Sequence, residues 1–186
     1  MQLSVEARLL KLRADLNEAE MYLGPPIGRP DIEALQSSAL STPGTVLPES
    51  YLGFLSRHDG LAAAGVFLCS SASRSYCDGG SALALVGMNL LAGGQGSLGG
   101  CVEIGESDMD CYVFEFATGR YQVRDKVAFD KVYQEFTSLD GLLGHIISLI
   151  EQHCWTNRFK NAHATTGWHS QLHQLPSESA ESWVRL

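Results

Sequence analysis

Apolar residues recur at steps of three or four along the first part of the chain, with charged residues between them. The apolar stripe comprises Val5, Leu9, Leu12, Leu16, Ala19 and Leu23. This spacing predicts an amphipathic helix that reaches Leu23, and Gly24-Pro25-Pro26 would end it because proline cannot continue the helical hydrogen bonds. A second short helix is predicted from Pro30 to about Ala39.

The pattern becomes more strongly apolar after Leu47. Pro48 suits the first turn of a helix, and Asp59-Gly60 would close that helix. The apolar run Ala62–Cys69 predicts one buried strand. The segment 81–92 is apolar enough to be a helix or a strand, and its period does not separate the two.

Strand-like alternation dominates the next part of the chain. Val102–Ile104 predicts a strand. A half-buried strand is predicted next, with Tyr112, Phe114 and Phe116 on one face. The Thr-Gly turn that follows would reverse the chain to form a hairpin. Val132–Phe136 is a further candidate strand.

A strong helix is predicted after Ser138, which suits the N-cap position. Its core face comprises Leu139, Leu142, Leu143, Ile146, Ile147 and Ile150. The order helix, helix, consecutive strands, helix predicts an α+β fold rather than a doubly wound parallel sheet. We expect one domain over residues 1–153, followed by a polar extension, 154–186, that either packs late or is partly disordered.

Composition narrows the possible partners. The chain has 186 residues, and its formal net charge is −8, with 13 scattered basic residues. Nucleic acid is therefore not an expected partner, since phosphate binding needs clustered lysine and arginine. An acidic surface suits a soluble protein or one that meets a basic partner.

The expected cellular location is inferred from the lack of signal-like and membrane-spanning segments in this sequence. The charged N-terminus has no apolar signal segment, and no apolar run is long enough to cross a bilayer, so no membrane partner is expected. The five cysteines form no pattern of paired spacings. Reduced thiols in the cytoplasm are the expected state.

Three carboxylates, Glu106, Asp108 and Asp110, occupy alternate positions. An extended segment would place them on one face, where they could bind a hard cation or share a proton. The alternative is a solvated acidic turn between two strands. Contact with a partner is a better interpretation of this cluster than metal or acid–base chemistry.

Other motifs give no catalytic site. Gly94–Gly99 matches a dinucleotide-binding glycine pattern, but it leads into a strand rather than a helix, so we expect no cofactor. His163, His169 and His173 with Cys154 suggest zinc only superficially, since the closing cysteine pair of a structural site is missing. No serine lies in a nucleophile elbow. We therefore predict neither a metal site nor enzyme activity.

Three blocks together resemble the SUKH superfamily, which includes fungal cell-wall-synthesis regulators and many bacterial proteins. Leu47-Pro48-Glu49-Ser50-Tyr51-Leu52-Gly53-Phe54-Leu55 with Asp59-Gly60 is similar to that family's leucine-proline helix. The second block is Ile104-Gly105-Glu106-Ser107 with Asp110, Tyr112-Val113-Phe114 and Thr118-Gly119, and the third is Phe136-Thr137-Ser138-Leu139 with Leu142-Leu143. The resemblance covers about 47–150; the Gly/Ser-rich segment 70–100 and the tail after Cys154 depart from it.

The resemblance implies a central, twisted, mostly antiparallel sheet flanked by helices, without enzyme activity. Bacterial members largely act as immunity proteins in interbacterial competition, so it implies binding and neutralisation of a cognate toxin with a basic surface. Glu106, Asp108 and Asp110 would then contact the toxin. A regulatory scaffold of the same fold is the alternative, and a small metal-dependent hydrolase using these carboxylates is the third hypothesis. The sequence does not define the oligomeric state.

Overall fold

The computed structural model describes residues 3–17, 20–41, 46–75, 81–82, 84–92 and 100–165. Within these ranges the chain forms five helices and nine strands. The α+β fold expected from the sequence is confirmed. Among the described residues, no helix combines the length and the apolar character needed to cross a bilayer.

One antiparallel sheet of seven strands organises the molecule. Its strands, in spatial order, are β1 (Met21–Leu23), β2 (Leu61–Ala63), β3 (Val66–Leu68), β6 (Cys101–Glu106), β7 (Asp110–Glu115), β8 (Arg120–Asp125) and β9 (Val132–Phe136). A separate two-stranded ladder joins β4 (Arg74–Ser75) to β5 (Ser81–Ala82). β1 and β9 are therefore the two edges of the main sheet.

The first helix is shorter than its apolar stripe predicts. α1 (Val5–Asp15) ends at Leu16, whose backbone is extended, and Met21–Leu23 forms edge strand β1 instead. The prediction of a helix that reaches Leu23 is wrong because Met21 and Leu23, two residues apart, are both buried where β1 pairs with β2. Pairing with the sheet has overridden the helical spacing.

The apolar run after Gly60 also folds differently from its prediction. The expected single strand Ala62–Cys69 is wrong, because Ala64 and Gly65 have φ angles of 50° and 79° and reverse the chain between β2 and β3. Two residues with positive φ form the tight hairpin turn whose twist matches the flanking strands. The ambiguous segment 81–92 resolves into strand β5 followed by helix α4 (Leu85–Ala92).

The other helices follow their sequence signals. α2 (Arg29–Ser41) and α3 (Glu49–Leu55) form near the predicted positions. α5 (Leu139–Thr165) starts after Ser138, whose Oγ accepts a hydrogen bond from the Gly141 N–H at 3.2 Å, as an N-cap does. It continues past residue 153, where the polar extension was expected to begin.

One face of the sheet packs against the helices and forms the main core. Fully buried side chains here come from the central strands and from α3 and α5, including Tyr51, Phe54, Ile104, Tyr112, Leu142, Ile146 and Ile147. Tyr51 ties α3 to the sheet because its hydroxyl donates to the carbonyl oxygens of Cys69 and Ile104, at 2.6 and 3.0 Å. The helix of the leucine-proline block is thus a core element.

The opposite face carries a smaller apolar cluster and a polar network. Cys101, Cys111 and Val113 are buried there beside Phe129. Next to them Arg124 donates to the side chains of Gln122 and Glu115 from β8 and β7. Its guanidinium carbon also lies 5.0 Å from the centre of the Phe129 ring. These contacts link β7 and β8 on the face of the sheet opposite the main core.

Candidate functional site

The three carboxylates predicted to contact a partner lie around the turn between β6 and β7. Glu106 is the last residue of β6, Asp108 is exposed in the turn, and Asp110 is the first residue of β7. They do not share a face of one extended segment, because the chain reverses direction between them and pairs Glu106 with Cys111. The three residues therefore lie on an acidic turn between two strands.

Local hydrogen bonds shape this turn. The Ser107 N–H donates to the carbonyl oxygen of Asp110 at 2.8 Å, and the Asp110 N–H donates to Ser107 Oγ at 3.2 Å. Asp108 and Met109 are left at the tip, and Met109 is 72% exposed. The Asp108 carboxylate lies against Gly65 of the β2–β3 turn, where an added Cβ would be 3.6 Å from Oδ1. Two turns therefore meet at this end of the sheet.

A second loop, residues 126–131, lies beside the turn. The Lys126 N–H donates to the carbonyl oxygen of Met109 at 3.0 Å, and its Nζ donates to the carbonyl oxygen of Ser107 at 3.1 Å. The same Nζ lies 2.7 Å from Glu106 Oε2, so this carboxylate is already paired. The next residue, Val127, is 93% exposed.

Asp125, which the sequence reasoning missed, organises that loop. Its Oδ1 accepts hydrogen bonds from the N–H groups of Val127 and Ala128 at 2.8 and 3.0 Å. Its Oδ2 accepts one from the Tyr133 hydroxyl at 2.6 Å. These bonds, that of Tyr133 foremost, lower the pKa of Asp125 to about 2, so the carboxylate stays charged. An aspartate two residues before a loop N–H is the signal of an Asx turn.

Tyr133 supplies an exposed aromatic side chain at the same place. It is 50% exposed, and Lys131 Nζ lies 4.7 Å from the centre of its ring. We call residues 106–110, residues 125–131 and Tyr133 together the acidic end of the sheet. It combines exposed apolar tips, the exposed ring of Tyr133 and several carboxylates on a hydrogen-bonded frame.

Glu103 lies behind the acidic end and was also missed by the sequence reasoning. Its pairing with Val113 places it on the same face of the sheet as Glu106, because a bulge shifts the register between Glu103 and Gly105. The residue is 6% exposed, and its backbone groups, but not its carboxyl group, are hydrogen-bonded, to Asn89. Burial raises the pKa of the Glu103 carboxyl to about 7, with Glu106 adding to the rise and Lys126 opposing it.

Three of the described cysteines, Cys69, Cys101 and Cys111, are buried in surroundings that disfavour a nucleophilic thiolate. Burial is the main cause that raises the pKa of Cys69, Cys101 and Cys111, that of Cys111 to about 12. Thiols held in the protonated form attack substrates poorly. These side chains behave as small apolar groups.

The described histidines have packing partners. His58 is buried, and its Nε2 lies 2.6 Å from Glu6 Oε1, an ion pair that joins the turn after α3 to α1 when the ring is protonated. His145 lies against the Phe136 ring, and burial lowers its pKa while Asp110 opposes that shift. A third described histidine, His153, lies 3.3 Å from the carbonyl oxygen of Ala64, and none of these contacts involves a nucleophile.

Metal-ligand geometry does not occur in the described part of the chain: no three His, Cys, Asp or Glu side chains there are placed to hold an ion. Glu106, Asp108 and Asp110 all belong to that part. The glycine pattern 94–99 and two of the tail histidines, His169 and His173, lie outside the described residues, as does the side chain of His163.

Comparison with known proteins adds no assignment. No protein-family model matches the chain, and no curated protein matches it in sequence. The resemblance to the SUKH superfamily therefore stays a prediction, and the geometry of the acidic end is the basis for a functional proposal.

Proposed function

We propose that this protein is a non-catalytic, cytoplasmic inhibitor of the immunity type, which binds a cognate bacterial toxin domain and neutralises it by protein–protein contact. The acidic end of the sheet is the contact surface. The proposal is supported by the SUKH-like sequence blocks, by the acidic composition and by the exposed side chains of that surface.

The observation that carries the proposal is the exposure of Met109 and Val127 at adjacent loop tips. Their exposed fractions, 72% and 93%, mean that neither side chain contributes much to the core. Lys126 bonds to the Ser107–Met109 turn and holds the two loops together. Exposed apolar groups on a fixed frame, with a polar rim, are typical of a protein interface.

The charge of the surface indicates the kind of partner. Asp108 is exposed at the turn, and Asp125 keeps its charge because its pKa is low. The whole chain carries −8. Opposite charge on a partner speeds its association and fixes its orientation, so the favoured partner has a basic surface.

The geometry favours binding over hydrolysis. Glu106 is paired with Lys126, whereas Asp108 points toward the β2–β3 turn. Asp110 is engaged with Ser107 within its own turn. A metal-dependent hydrolase would need these oxygens to converge on one ion, and they do not form such a group.

The test is co-expression with the toxin domain encoded by the adjacent gene. The wild-type protein should form a stable complex and protect the cells. Asp108→Lys should weaken binding by about tenfold or more, since an exposed interface charge changes sign. Glu33→Lys, which makes the same charge change on α2, is the control and should leave affinity and protection intact.

A regulatory scaffold is distinguished in the same system. It would capture a partner from cells that contain no toxin gene, and it would not protect cells from the toxin. Lack of both binding and protection by the wild-type protein would overturn the immunity proposal.

A further inference from the structure

The two edges of the sheet differ in how well they are covered. Edge strand β1 has three residues, and Met21 and Leu23 are buried. Edge strand β9 has five residues, and Val132, Tyr133, Gln134 and Glu135 are all exposed. β9 is thus the longer and the more exposed of the two edges within the described part of the chain.

The backbone of β9 has partners on one side. It pairs with β8 along its length, apart from the bulge at Tyr133. Among the described residues, no backbone hydrogen bond joins residues 132–136 to any element other than β8. Unpaired strand edges recruit other strands, and proteins usually cover or charge them for that reason.

The side chains along this edge combine apolar contact area with negative charge. Val132 is 39% exposed, and Tyr133 is 50% exposed. Asp130 precedes the strand, Glu135 lies within it, and Asp125, which keeps its charge because its pKa is low, accepts a hydrogen bond from Tyr133. Lys131, beside the Tyr133 ring, and Arg120, 3.6 Å from Glu135, offset only part of this negative charge. An incoming strand would therefore be favoured if it carried apolar and basic residues.

We propose that β9 is a strand-addition site for an extended segment of a protein partner in which basic and apolar side chains alternate. Backbone hydrogen bonds to β9 would supply affinity, and the exposed side chains would select the segment. Identifying that segment as part of the toxin rests on the proposed function, since the acidic end adjoins β9.

The probe is a synthetic peptide of alternating lysine and valine, added to the full-length protein. Amide hydrogen exchange is followed at residues 132–136, with β1 as the internal reference. At a peptide concentration of about ten times its Kd, exchange at the open edge of β9 should slow by about tenfold, and β1 should not change. A peptide methylated on its backbone nitrogens should give no protection, because it lacks the donors.

Matched variants separate strand addition from general charge attraction. Val132→Lys places a positive charge on the edge and should weaken peptide binding by about tenfold or more. Leu10→Lys makes the same change at an exposed position of α1 and should bind the peptide like the wild type. Thermal unfolding of both variants checks that the fold is intact.

Three results would overturn the inference. These are the absence of β9 protection by the peptide, equal binding of the methylated peptide, and β9 protection that rises with protein concentration alone, which would assign the edge to a second copy. Toxin neutralisation is measured separately. If Val132→Lys still neutralises the toxin at full strength, strand addition is not part of the toxin interface, and the proposed function stands. If the wild-type protein does not neutralise the toxin, the proposed function is wrong. The peptide result then still decides whether β9 accepts a strand.

Discussion

Replacing Glu103 by glutamine should remove most of a fall in stability that the wild-type protein undergoes between pH 5 and pH 8. Glu103 is 6% exposed, and its carboxyl group has no hydrogen bond among the described residues. Burial raises its pKa to about 7 from an ordinary value of 4.5. Glutamine has nearly the same shape and no charge to bury.

The size of the effect follows from the two pKa values. The folded protein holds this proton more tightly than the unfolded chain, so the stabilisation is fully present below pH 4.5 and is lost as the pH rises through about 7. One pKa unit corresponds to about 1.4 kcal/mol, which gives a loss of about 3 kcal/mol by pH 8. This is a large part of the stability of an ordinary domain, about 5–15 kcal/mol.

Urea unfolding at pH 5, 6, 7 and 8 measures the difference. The free energy of unfolding of Glu103→Gln minus that of the wild type should increase with pH, by about 2.5 kcal/mol over the series, because a small part of the effect has already been lost at pH 5. Taking the difference cancels the contributions of other titrating groups such as His145. Glu33→Gln, at an exposed position of α2, should show no such trend. Parallel pH profiles for Glu103→Gln and the wild type would refute the reasoning.

Three further changes test the frame of the sheet and of the acidic end. Gly105→Ala should lower the free energy of unfolding by about 2–3 kcal/mol, since an added Cβ would lie 2.2 Å from a carbonyl oxygen of β3. Gly53→Ala in helix α3 is the control and should not lower it, because the added Cβ meets nothing within 4 Å. Equal urea midpoints for the two variants would contradict the prediction. Asn89→Ala should cost about 2 kcal/mol, because the amide and carbonyl groups of β6 that this side chain pairs stay buried, and an unchanged melting temperature would count against it. Tyr133→Phe removes the strongest hydrogen bond to Asp125, so the pKa of that carboxyl, followed by NMR, should rise from about 2 toward 3.8; a constant pKa would be inconsistent with the described geometry.

The helices and strands with one clear period were predictable from the sequence. α3 and the start of α5 follow their capping and spacing signals. β7 forms where a strand was predicted, but it ends at Glu115, before Phe116, and Val113 on its other face is buried, so the strand is not half-buried as expected. One error occurred where two periods fit, because Leu23 continues the helical stripe and, together with Met21, also fits the alternation of a strand. The other is the turn at Ala64, which needs a positive φ that alanine seldom adopts.

The candidate site was predictable in part. The acidic turn is visible in the sequence because its carboxylates are close together along the chain. The contribution of Asp125 and Tyr133 is not visible, since it depends on the register that brings the β8–β9 loop beside the β6–β7 turn. The raised pKa of Glu103 depends on burial by the fold and has no local signal.

The central claim, that the acidic end binds a basic toxin domain, is tested most directly by the affinity of that domain for the wild-type protein and for Asp108→Lys at two salt concentrations. We expect a stable complex at low salt, weaker binding of the variant and a slower association rate at high salt, since steering charges are screened. Affinity that is unchanged by Asp108→Lys and by salt, or no complex with the wild-type protein, would contradict the account.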